Sequence, residues 1–182
     1  MIIAIDGESG TGKSTVARLI SEILGWVCVK TGEIYRQVAY IASNQGIDCT
    51  KEEDIFQLLE YSVRDNCLQL SNYNGEDAIN SEKCACAAAM MAASTGIKNA
   101  INNSIQLYIK DKNAVIEGRS VTTNMFPKAV VRVLLFADVE TRTIRRAKQL
   151  ENDSDLESVR KSLEYRDQII PSGNGYYDLL ID

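Results

Sequence analysis

The 182 residues combine 45% hydrophobic with 25% charged side chains, the balance of one globular domain whose core needs no disulfide or metal staple. With 20 Lys+Arg against 25 Asp+Glu the net charge is -5, which disfavours general attraction to nucleic acid or anionic membrane and leaves room for a local basic cleft that takes a small anion. Histidine is absent, so His general-base chemistry, phosphohistidine relays and His-containing zinc sites are excluded.

In chain order, Ile2 to Ile5 is an apolar run of strand length ended by Asp6-Gly7, and it reads as a strand buried on both faces. A Gly-rich turn follows, then a helix with an apolar stripe of Val16, Leu19, Ile20, Ile23 and Leu24, stopped by Gly25. Residues 26–29 read as a second strand, and Ile34, Val38, Ile41 and Ala42 mark the buried stripe of a second helix ending near Gly46. A Thr50–Glu53 capping box opens a third helix through about Ser62. Two short segments around Asn72-Tyr73-Asn74-Gly75 carry a hairpin signal. Helices are then expected over 82–93 and 97–109, strands over 114–117 and 131–136, and a helix from an Asp138 N-cap to about Leu150. A Ser154–Glu157 capping box begins another helix, and 177–181 forms the last strand.

Strands separated by helices predict an α/β fold, a five-stranded parallel sheet with helices on both faces. An early charge at Asp6 and the lack of any apolar run near ~18 residues predict neither signal peptide nor membrane span. Cys28, Cys49, Cys67, Cys84 and Cys86 are odd in number and lack secreted-framework spacing. They read as reduced thiols of a cytoplasmic protein.

Gly7-Glu8-Ser9-Gly10-Thr11-Gly12-Lys13-Ser14-Thr15 matches G-x-x-x-x-G-K-[ST] between a predicted strand and a predicted helix, the context that a phosphate-binding P-loop requires. Its glycines let backbone N–H groups face a phosphate, Lys13 balances β- and γ-phosphate charge, and the Ser14 hydroxyl suits Mg²⁺. An acidic partner for that ion is expected at the end of a neighbouring buried strand, and Glu117 meets the condition. Asp138 also ends an apolar strand but reads as an N-cap. Arg36 and Arg119 stand at junctions where open parallel sheets bind ligands. Arg142, Arg145 and Arg146 are spaced i, i+3, i+4 on one helix, as a positive face able to close over a transferring phosphoryl group.

With these motifs in place the chain resembles the cytidylate (CMP) kinase family of P-loop nucleoside monophosphate kinases. The family's I-D-G-P opening and G-K-S/G-T loop look like Ile5 through Thr15, and its D-T/S-G-x-x-Y-R motif like Lys30-Thr31-Gly32-Glu33-Ile34-Tyr35-Arg36. Its E/D-G-R-D-x-G-T-x-V-F-P motif is similar to the segment Glu117 to Pro127, its paired lid arginines to Arg145-Arg146, and its later arginine-aspartate to Arg166-Asp167. The resemblance implies one P-loop kinase domain over 1–182, with a small acceptor-binding insertion at about 66–96 and a lid at about 145–168. It implies ATP and Mg²⁺ as cofactors, and Thr31, Tyr35, Arg36, Arg119 and Ser120 as the acceptor site. Lys13, Arg119, Arg145 and Arg146 would be catalytic, with Ser14 and Glu117 on the metal. The expected partners are small nucleotides, not nucleic acid or membrane, and the expected state is a monomer.

Departures from the family pattern fall on the acceptor side. Ser120 stands where an aspartate helps to read cytosine, no arginine lies near Ser81, no D-x-x-R follows Arg166-Asp167, and Lys30 replaces an aspartate beside the phosphates. An acceptor phosphate is already ionised near pH 7 and needs positioning more than a base, whereas an alcohol usually needs a carboxylate. Lys30 therefore favours an anionic acceptor, by default CMP or dCMP. The other readings are a P-loop kinase of another small phosphorylated or hydroxylated metabolite, and a nucleotide-binding regulatory protein with weak or no transfer. A GTPase is disfavoured by the lack of an N-K-x-D segment.

Overall fold

The computed structural model describes residues 1–63, 79, 81–150, 155–170, 175 and 177–182. Among them, strands β1 (Ile2–Gly7), β2 (Val27–Lys30), β3 (Ala114–Gly118), β4 (Val131–Leu135) and β5 (Leu179–Ile181) form a sheet in the order β2-β3-β1-β4-β5. Every pairing is parallel, as the apolar runs predict, and β3 is buried along its whole length. The register sets Ile5 beside Glu117 and Val133, and Lys30 beside Glu117. The carboxyl ends of β2, β3, β1 and β4 thus meet along one edge of the sheet.

The helices are α1 (Lys13–Leu24), α2 (Thr31–Asn44), α3 (Glu52–Val63), α4 (Glu82–Ala93), α5 (Thr95–Ile109), α6 (Val139–Gln149) and α7 (Leu156–Ile169), with a π-helical turn at Val121–Met125. The chain divides into two compact units, Met1–Thr31 with Asp111–Asp182, and Gly32–Lys110. The first holds the sheet, and Ile5, Ala17, Val115, Val133 and Leu135 form a core there, flanked by Val16, Ile20 and Trp26. In the second, α5 packs on α3 and α4. Its buried Ile97, Ile101, Ile105 and Ile109 recur every four residues, one face of the helix.

Several local expectations change. The α1 stripe is borne out in part: Val16 and Ile20 pack against the core and Ala17 and Ser21 are buried beside them, whereas Leu19, Ile23 and Leu24 are exposed, Ile23 at 82%. Small side chains on the inner face let this helix lie close to the sheet. The Thr50–Glu53 capping box does not open α3, because Asp48 Oδ1 accepts from both the Thr50 N–H (2.9 Å) and the Thr50 hydroxyl (2.7 Å) and the helix starts at Glu52. In place of a Ser154 cap, Asp155 is the N-cap of α7 and accepts from the Glu157 N–H at 3.2 Å. Asp138 caps α6 as predicted, accepting from the Thr141 N–H at 2.8 Å. The 72–75 hairpin, Ser154 and Cys67 lie outside the described residues. Cys28, Cys49, Cys84 and Cys86 are free thiols.

Candidate functional site

Parallel order places the turn after β1 and the start of α6 after β4 side by side, at the point where successive connections leave the sheet in opposite directions. The turn is Gly7 to Gly12, and α1 begins at Lys13 with Gly12 as an N-cap that offers no side chain to the first-turn amides. Those amides and the helix dipole make an anion site. A Cβ on Gly10, whose φ is +84°, would stand 3.0 Å from the Arg142 carbonyl oxygen and 3.1 Å from Arg142 Cβ. Glycine is what lets the first turn of α6 sit directly on the loop.

Lys13 is buried, and its Nζ donates to the Glu8 carbonyl at 2.6 Å. The Thr11 hydroxyl donates to the same oxygen at 2.9 Å. Burial lowers the Lys13 pKa to about 8 against the opposing pull of the Glu117 carboxylate. Ser14, the first outward hydroxyl of α1, donates from Oγ to Glu117 Oε1 at 2.9 Å across 103 residues of sequence. Two hard oxygens in contact at the foot of a phosphate loop are a donor pair that suits Mg²⁺, which takes one or two protein oxygens and completes its shell with phosphate and water. On the same edge, Thr31 is buried against Gly118, where a Cβ would come within 2.0 Å of the Thr31 Oγ1.

The predicted arginine face of α6 divides. Arg142 and Arg146 are buried, and Arg145 is exposed. Arg142 reaches the loop, with an ion pair to Glu8 Oε2 at 3.0 Å, and donates from Nε to the Ala137 carbonyl at 3.1 Å. It also donates to Asp167 Oδ2 at 2.7 Å. The other oxygen of Asp167 accepts from Arg119 at 2.6 Å, and Arg119 donates further to the Arg166 and Ile170 carbonyls at 2.8 and 2.7 Å. These are last-turn carbonyls of α7, a place that favours a cation. Arg166 donates to the Ser9 hydroxyl at 3.4 Å. Glu8, Arg142, Asp167 and Arg119 thus form an unbroken chain of ion pairs from the phosphate loop to the end of β3.

Asp6, at the end of β1, is a buried carboxylate on this edge that the motifs do not single out. It is fully buried, and its carboxylate accepts from the Val121 N–H (2.6 Å), the Thr122 N–H (3.3 Å), the Thr122 hydroxyl and the Tyr177 hydroxyl (3.4 Å). Desolvation by burial still raises its pKa above the ordinary carboxylate value. These bonds tie down the segment after Arg119, in which Ser120 has a left-handed backbone, φ 58° and ψ 26°. The signal was present: Asp6 is the first charge after a buried strand, the criterion that selected Glu117. Tyr35 and Arg36 belong to the second unit, where both lie in the first two turns of α2. Tyr35 is buried, which raises its phenol pKa, and Arg36 is half-buried.

Over residues 3–171 the sequence matches the family model described as cytidylate kinase. Cytidylate kinase 1 of Borreliella afzelii is 33% identical over 177 residues, which cover 93% of this chain and 80% of the relative. The cytidylate kinase of Shouchella clausii is 36% identical over 179 residues, 92% of this chain and 79% of its own length. A solved structure from Thermus thermophilus shares the fold, with a TM-score of 0.50 at 16% identity over 99% of this chain and 86% of that one. No helix among the described residues is long and apolar enough to cross a membrane.

Proposed function

Because the chain belongs to the cytidylate kinase family, we propose that it is a cytoplasmic, monomeric enzyme that transfers the γ-phosphoryl group of ATP to a nucleoside monophosphate, CMP or dCMP by default. The observation that carries this reading at the level of residues is the Ser14–Glu117 pair beside Lys13 at the mouth of the phosphate loop. In the transfer, an acceptor phosphate oxygen forms a bond to the γ-phosphorus as the bond to the β-bridging oxygen breaks, and ADP leaves. The acceptor is already anionic, so no side chain has to remove a proton.

Gly7, Glu8, Ser9, Gly10, Thr11, Gly12, Lys13, Ser14 and Thr15 cradle the donor, with Lys13 set against the β- and γ-phosphates. Ser14 and Glu117 would hold Mg²⁺, which would supply neutralisation of phosphate charge when bound. The resemblance gives Arg36 and Arg119 the acceptor phosphate and assigns Thr31, Tyr35 and Ser120 to acceptor binding. Arg145 and Arg146, in a lid over about 145–168, meet the charge that spreads over the transferring group, and the buried Arg142 on the same helix joins them. The insertion at about 66–96 contributes to the acceptor side.

An ADP-release screen with ATP and Mg²⁺ over nucleoside monophosphates and small alcohols tests this reading. Release that depends on a pyrimidine monophosphate is expected. Release that depends only on an alcohol, or no acceptor-dependent release at all, overturns it.

A further inference from the structure

Asp167 occupies an unusual electrostatic position. One of its oxygens is taken by Arg119 at 2.6 Å and the other by Arg142 at 2.7 Å, and all three side chains are largely buried, at 15%, 15% and 7% exposure respectively. The two guanidinium groups come from different parts of the chain, one just beyond β3 and one in the first turn of α6. Groups of like charge brought together with so little water need a shared counter-anion, and without one the site is strongly destabilised. Each also has a second attachment that does not depend on Asp167: Arg119 to the last carbonyls of α7, and Arg142 to Glu8 and the Ala137 carbonyl. The carboxylate therefore does more than keep two loose side chains in place. It neutralises both cations by giving one oxygen to each, a bridge that a phosphate group can also make with two of its oxygens.

We propose that Asp167 is a positioning residue that competes with substrate phosphate for Arg119 and Arg142, holding both guanidinium groups ready while lowering the affinity of the site for anions. The proposal rests on the reading that Arg119 serves the acceptor. It separates two quantities that a simple structural tie would move together. Neutralising Asp167 raises the positive potential, so a phosphate ester binds more tightly, while the two guanidinium groups, each still held by its second attachment, lose the bridge that sets them relative to each other, so turnover falls. A purely structural role predicts weaker binding and slower turnover at once.

The test is calorimetric titration of CMP into protein saturated with Mg²⁺ and a non-hydrolysable ATP analogue, for the native chain, Asp167→Asn, Asp167→Glu and Arg119→Ala, together with steady-state kcat and KM. Asp167→Ser removes the same charge with a shorter side chain, should the amide variant fail to fold. Expected for the neutral variants are CMP binding about fivefold tighter and kcat at least about tenfold lower, with Asp167→Glu returning both toward native values. Neutral variants that bind CMP no more tightly than the native chain, while Arg119→Ala binds it more weakly, overturn the proposal and leave the acceptor reading standing. Unchanged CMP binding in Arg119→Ala removes the acceptor role itself, and the proposal with it.

Discussion

Lys13 carries a charge that its surroundings only partly favour. Burial pulls its pKa down to about 8, against the Glu117 carboxylate that pulls it up. In the free enzyme the protonated form, the one proposed to meet the β- and γ-phosphates, is therefore lost as pH rises through about 8. The expected outcome is a kcat/KM for ATP that falls above that pH, with the limb in kcat displaced upward because bound phosphates favour the ammonium. A kcat/KM that stays flat to about pH 9.5 contradicts the shift. Lys13→Ala is expected to lower kcat by at least ~10³ because it removes a charge matched to the transition state. The fold should survive, since the Nζ hydrogen bond is to the loop's own Glu8 carbonyl. Circular dichroism and turnover of the purified variant decide both halves. Asp6 presents the opposite case, a buried carboxylate whose oxygens face N–H and O–H donors. Asp6→Asn turns an N–H₂ toward those donors and should cost about 2 kcal/mol or more in a denaturant titration. A loss below about 0.5 kcal/mol would show that the segment after Arg119 does not depend on it.

At the scale of elements, strands and helices were legible because their patterns are local: a continuous apolar run for β1 and β3, a glycine at each end of α1, an Asp at the start of α6. The orientation of α1 was not. Its hydrophobic residues spread over Val16, Leu19, Ile20, Ile23 and Leu24, and periodicity alone favours burying the large ones. The sheet side instead receives Val16, Ala17, Ile20 and Ser21, while Leu19, Ile23 and Leu24 are left to solvent. The same geometry seats α6 on the phosphate loop at Gly10. Gly10→Ala adds a methyl 3.0 Å from the Arg142 carbonyl at a backbone φ of +84°, where an L side chain is strained by about 1 kcal/mol or more. Its affinity for an ATP analogue should fall about tenfold, with thermal stability lowered as well. Native affinity in this variant would mean that the loop and α6 can separate without consequence for the donor.

For the whole molecule, legibility divides by sequence distance. The proposed donor site is largely one nine-residue segment plus Glu117, whose place at a strand end is itself a local signal. The ion-pair chain from Glu8 to Arg119 joins four separate positions between residues 8 and 167, and nothing in any one segment announces its partners. Arg145 and Arg146 look equivalent in sequence, yet helical rotation buries one and exposes the other.

Acceptor specificity depends on the least regular part of the pattern. A site built to hydrogen-bond a polar base edge rejects an analogue strongly, because its buried groups would be left unpaired, and removing those groups relaxes the rejection. Ser120 is short and uncharged where the resembling family has an aspartate, and no D-x-x-R follows Asp167. The enzyme should therefore discriminate weakly, with kcat/KM for CMP over UMP below ~10³, or about 4 kcal/mol of differential transition-state binding. The backbone makes the reverse experiment feasible. Ser120 holds φ 58° and ψ 26°, the left-handed region that aspartate tolerates better than most side chains. Ser120→Asp should fold as well as the native chain and raise the CMP preference over UMP by at least about tenfold, or about 1.4 kcal/mol. Side-by-side kcat/KM values for CMP, dCMP, UMP and AMP check both claims. A native preference for CMP above ~10³ would locate base reading in other residues, and an unchanged ratio in Ser120→Asp would take position 120 out of base recognition.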